Sequence, residues 1–120
     1  MGEFHILYSS IKERKMAITK EVELDKIEIV FVDGFPHVQS RGKIVIKEDG
    51  KKIADAGTFR FGAKSPDQDA GDQPDAPDPQ GGKVAVPESI KQQLRAAQQA
   101  HVTPELAQRY RDRRATSRER

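Results

Sequence analysis

The chain has no cysteine and no tryptophan. Without cysteine, no disulfide can staple a small core. Its three histidines, His5, His37 and His101, stand far apart, so no metal-ligand spacing is present. No apolar run approaches the roughly 20 residues of a membrane span. Residues 4–8 (FHILY) are too short for a signal-peptide core and lack a basic flank. Gly2 follows Met1, but Ile6 stands where the myristoylation pattern needs Ser or Thr. There is no glycine-rich phosphate loop, and nothing local groups Ser, His and Asp for nucleophilic catalysis. Asp67, Asp69 and Asp72 superficially resemble a calcium loop, but the bidentate Glu and the flanking helices are missing. The expectation is a non-enzymatic chain without cofactor or metal. At 120 residues it is one domain at most, and with 35% hydrophobic residues its core is small. The staple expected to support such a core is a partner, either a second copy or a larger assembly.

What is present concentrates in residues 20–61, which read as three β-strands joined by Asp33-Gly34 and Asp49-Gly50. Asp-Gly between alternating strands is a strong hairpin signal, because a type I′ turn needs positive φ at both central residues. Gly34 and Gly50 are therefore the turn glycines. The first strand changes apolar parity at Asp25-Lys26, which predicts a bulge. Its end, with Val30, Phe31 and Val32, is apolar on both faces and suits a central position or a partner on each side. Pro36 cannot donate a ladder hydrogen bond and predicts a sheet edge there. Counting outward from Asp49-Gly50 pairs Ile46 with Ile53, Ile44 with Asp55, Gly42 with Gly57, Ser40 with Phe59 and Val38 with Phe61. One face then carries Val38, Ile44, Ile46, Ile53, Phe59 and Phe61. The other carries Arg41, Lys43, Thr58 and Arg60, with Val45 and Ala54 near the turn. The Gly42–Gly57 pair leaves a bare spot, either a bend or a dock for a neighbouring side chain. A three-stranded ribbon with that apolar face open is an aggregation hazard, so a cover is expected, preferably from another chain.

Residues 65–82 (SPDQDAGDQPDAPDPQGG) are poor in apolar residues and read as a disordered acidic linker. Beyond it, Pro87 opens one helix, with Ile90, Leu94, Ala97 and His101 at helical spacing. Thr103-Pro104-Glu105 starts a second: a capping hydroxyl, proline at the first helical position and an acid in the first turn. Leu106 and Tyr110 continue its apolar stripe, and join the sheet face as the expected protein interface. The terminus is rich in arginine. Arg109, Arg113, Arg114 and Arg118, with Tyr110 to stack, are the possible nucleic-acid contacts. The alternative is a solvated helix end stabilised by the helix dipole. Asp112, Glu119 and the nearby acidic stretch dilute the patch, so nucleic acid is not the expected partner.

The expected division is an N-terminal extension over 1–15, a β-meander over 16–64, the acidic linker over 65–86 and a helical tail over 87–120, giving an α+β fold class. Met16-Ala17-Ile18-Thr19 has the look of a natural start. Residues 1–15 are then either foreign to the fold or an ordinary N-terminal arm.

The block Lys26-Ile27-Glu28-Ile29, His37-Val38-Gln39 and 44–50 (IVIKEDG), followed by Thr103-Pro104-Glu105, Ala107 and Tyr110, resembles small proteins encoded among the structural genes of tailed bacteriophages. The similarity spans about 18–60 and 96–115. It implies a virion or virion-assembly setting, with location in the particle and in the host cytoplasm during assembly, partners among other virion proteins or itself, and no active site. A nucleic-acid-binding accessory protein and an inhibitor of a host enzyme, with the acidic stretch as a phosphate mimic, are the rival expectations.

Overall fold

The computed structural model describes residues 18–118. The proposed start at Met16 and the 1–15 arm lie outside the described residues. Strands β1 (Ile18–Val32), β2 (Phe35–Glu48) and β3 (Lys51–Arg60) form an antiparallel sheet in the order β1-β2-β3. A small ribbon of β4 (Ala76–Pro77) and β5 (Lys83–Val84) follows, then helices α1 (Glu88–Gln99) and α2 (Pro104–Arg118). The fold is α+β with a small sheet.

Both Asp-Gly turns form as read. Asp33 and Gly34 have φ of 52° and 84°, and Asp49 and Gly50 have φ of 50° and 80°, the signature of type I′. The near-identity of the two turns removes any reason to expect unequal tolerance. We expect Gly34→Val and Gly50→Val each to cost about 1–2 kcal/mol, since a β-branched residue resists positive φ. Thermal melts of the two variants check this, and a loss at only one of them would refute it.

Asp25 is the bulge residue of β1, between Leu24 opposite Gly42 and Lys26 opposite Arg41. The apolar end of β1 is not central, however; β2 is, and β1 is an edge. Pro36 pairs with Phe31 inside β2. The pair beside a two-residue turn exchanges both hydrogen bonds, so the next pair aims its N–H groups outward. The missing N–H of Pro36 therefore faces the side where pairing with the third strand has already stopped, since the last bridge there is Val38 with Lys64.

The second hairpin departs from simple outward counting. Lys47 opposes Lys52 as counted, but Ile46 opposes Ala54 and Ile44 opposes Gly57. Two extra residues, Ile53 and Ala56, sit in β3 as bulges. Ile53 is thereby displaced from the apolar face and is 55% exposed. The shift also sets Phe59, not Gly57, opposite Gly42. A Cβ on Gly42 would lie 2.7 Å from Phe59 Cζ and 2.8 Å from Phe61 Cε2. The bare spot is thus a dock, filled by two rings whose centroids are 4.9 Å apart in an edge arrangement.

Residues 65–86 are not a disordered linker. They form an ordered strap across the apolar face of the sheet, and Ala70 and Ala76 are almost fully buried in one core with Val22, Val38, Ile44 and Phe61. Val86, Ile90 and Leu94 complete that core from the strap end and α1. The cover is intramolecular, where another chain was expected. Small alanines suffice because the sheet supplies the large side chains. The polar remainder of the strap is held by side-chain amides. Gln73 pairs with Gly62 as a strand would: its Oε1 accepts from Gly62 N at 2.8 Å and its Nε2 donates to Gly62 O at 2.9 Å. Gln98 of α1 accepts from Ala70 N at 3.0 Å and donates to Gln68 O at 2.6 Å.

Candidate functional site

The expected interface residues divide. Val38, Ile44 and Phe61 are buried, and Ile46, Phe59, Leu106 and Tyr110 are half-buried. Strap and helices use this surface, so it is not free for a partner. Only Ile53 of that set is exposed. Other large apolar side chains are left open instead: Phe31 at 63%, Val32 at 47% and Ile18 at 46%.

Phe31 and Val32 stand at the tip of the β1–β2 hairpin, where α2 also arrives. Thr103 caps α2 as read, accepting from Leu106 N at 3.1 Å. One helical turn later, Tyr110 meets Phe35 edge-on, with ring centroids 5.3 Å apart, and His37 at 5.6 Å. Arg113 lies over the Phe35 ring at 5.7 Å and donates to the Asp33 carbonyl at 3.3 Å. Arg114 lies over Tyr110 at 5.8 Å and pairs with Asp67 of the strap at 3.2 Å. His37 shares a 3.0 Å hydrogen bond with the Phe35 carbonyl through Nδ1, leaving Nε2 for another partner. Around these groups lies a hollow of about 150 Å³, lined by Val32, Asp33, Phe35, His37, Tyr110, Arg113 and Arg114.

The four arginines singled out in the sequence are therefore not one patch. Arg113 and Arg114 serve the tip, Arg109 is exposed on α2, and Arg118 is the last residue of that helix. A phosphate backbone would compete with Asp67 and the Phe35 ring for two of them. The geometry missed in the sequence is the contact of α2 with the Asp33-Gly34 turn, residues about 80 apart; the spacing of Phe35, His37 and Tyr110 carries no local sign of it.

Three of the five strap acids, Asp67, Asp69 and Asp78, have partners. Asp67 accepts from Ser65 Oγ at 2.7 Å besides its pair with Arg114. Asp69 pairs with Arg95 of α1 at 3.0 Å and accepts from Gly71 N. Asp78 pairs with Lys20 of β1 at 2.7 Å. One acid thus latches the strap to each of α2, α1 and β1. Arg95 holds the Asp69 and Glu88 carboxyls below the usual carboxylate range, and Lys20 does the same to Asp78. Folded values below unfolded ones place this stabilisation above about pH 4, and it is lost as pH falls through the lowered values. Acidification should therefore free the strap before it melts the sheet. Methyl NMR checks this: the Ala70 and Ala76 signals should lose their core-like shifts while that of Val45, buried in the sheet outside the core the strap covers, persists. Simultaneous loss at all three would refute it.

No helix among the described residues is long and apolar enough to cross a membrane. Comparison with family models, curated proteins and solved structures finds no match.

Proposed function

We propose that this chain is a small non-enzymatic docking protein of a larger assembly, in the setting its resemblance implies: a tailed-phage virion, or its assembly in the host cytoplasm. The observation that carries the reading is the tip of the β1–β2 hairpin. Phe31 and Val32 are bare there, and the adjoining surface is built from Tyr110, Arg113 and Arg114, with Tyr110 and Arg113 packed on the buried Phe35 ring. Aromatic side chains and arginine around an apolar centre are the composition of protein–protein hot spots. The internal ring and guanidinium contacts hold that surface in place before a partner arrives, which lowers the ordering cost of binding.

The test joins particle composition with one double variant. Phe31→Ser with Val32→Ser should change stability little, because both positions are exposed. Mass spectrometry of purified particles should find the wild-type protein at a fixed copy number and the double variant strongly depleted. Absence of the wild type from particles would overturn the virion setting. Undiminished incorporation of the double variant would overturn the docking role of the tip.

A further inference from the structure

The sheet face turned away from the strap carries a row of cations. Lys26, Arg41 and Arg60 stand directly opposite one another on β1, β2 and β3. All three are exposed. Like charges in directly opposed cross-strand positions are destabilising, so the fold alone gives no reason for such a row. Its counter-charges are incomplete. The bulge aims Asp25 at Arg41, whose Nε donates to it at 2.6 Å. Glu28 pairs with Lys26. Among the described residues no carboxylate forms an ion pair with Arg60. Glu28 registers the combined field: its carboxyl is held below the usual range by Lys26 first, and then also by Arg60 and Arg41. A hollow of about 70 Å³ opens between these side chains, with the Gln39 amide on its wall.

We infer that this row is a docking site for carboxylates on an acidic segment of a partner protein. Guanidinium groups present a planar fork that takes a carboxylate through two hydrogen bonds, and Arg60 has such a fork free of any described counter-ion. Nucleic acid fits less well. The row and its same-face neighbours Glu28, Gln39, Lys43 and Thr58 include no aromatic ring on which a base could stack. Asp25 and Glu28 interrupt the row, which repels a continuous phosphate backbone but accommodates separate carboxylates. The site is distinct from the hairpin tip and does not depend on it.

The experiment titrates the full chain with an oligo-glutamate peptide and, separately, with a random-sequence DNA duplex, both at low ionic strength. Arg60→Gln is compared with Lys83→Gln, which removes the same charge from the strap. The expected result is oligo-glutamate affinity reduced about fivefold by Arg60→Gln and unaffected by Lys83→Gln. Arg60→Gln should also keep or raise the melting temperature, by up to roughly 4 °C, because it relieves the repulsion in the row. Equal losses in both variants would mean attraction by net charge alone and would overturn the site. So would no binding of oligo-glutamate, tighter Arg60-dependent binding of the duplex, or a lowered melting temperature in Arg60→Gln, which would make the arginine structural.

Discussion

Leu94→Ala should lower the stability of this protein by about 2–5 kcal/mol. Leu94 is fully buried on α1 and belongs to the same core as Ala70, Ala76, Val38 and Phe61. Strap, helix and sheet thus share one core. The strap contributes Ala70, Ala76 and Val86 to the core, none of them long enough to fill the cavity that the missing isobutyl group leaves. Small domains have total stabilities toward the lower part of about 5–15 kcal/mol, and a loss of this size corresponds to a drop of roughly 8–40 °C in melting temperature. Leu94→Met, which conserves volume, should cost less than about 1.5 kcal/mol. Denaturant titration of both variants checks the contrast. Equal small losses would show that α1 contributes little to holding the strap.

The second large effect is expected at Gly42, and it is one of crowding. Gly42→Ala places a methyl within 3 Å of Phe59 and Phe61. In the middle of the central strand neither backbone can move away without breaking the ladder, so the rings must. Overpacking of this kind costs about 1–3 kcal/mol, against a gain of under about 1 kcal/mol from restricting the unfolded chain. The clash wins. In a Phe59→Leu background the same substitution should cost much less, because the smaller side chain vacates the space. A double-mutant cycle with a coupling of about 1 kcal/mol or more is the expected outcome. Additive losses would place the rings elsewhere.

Local features of this fold were legible in the sequence because local chemistry specifies them. Asp-Gly pairs set both turns, the parity change at Asp25 marked the bulge, and Thr103-Pro104 marked a capped helix. The two bulges of β3 were not legible. The Asp-Gly turn favours the regular register, whose one visible flaw is Asp55 opposite Ile44 in the apolar face; the shifted register removes that flaw and sets Phe59 over Gly42. The strap was misread for a related reason. Its composition is that of a disordered segment, yet its order rests on buried Ala70, Ala76 and Val86, two glutamine side chains and three ion pairs whose partners lie in other elements. Composition measures what a segment can bury by itself, and says nothing of what others can bury against it. The expected interface failed with the strap: once Val38, Ile44 and Phe61 have an internal cover, the free apolar surface moves to Phe31 and Val32, which read in sequence as the central end of a strand.

The strap also sets the order in which the chain can acquire its structure. The two hairpins close through turns of two residues, and such closure takes on the order of 1–10 μs. The strap waits for distant groups: Ser65 and Ala70 for Gln98, and Asp78 for Lys20, 58 residues earlier. Contacts of long sequence separation form late, since loop-closure entropy opposes them until several are made together. Between the two stages the sheet exists with its apolar face open, a species prone to self-association. Substitutions in the strap, such as loss of Gln73 or Gln98, would prolong that interval. Their effect would register in the yield of soluble protein during synthesis more strongly than in the melting temperature of the molecules that reach the native state.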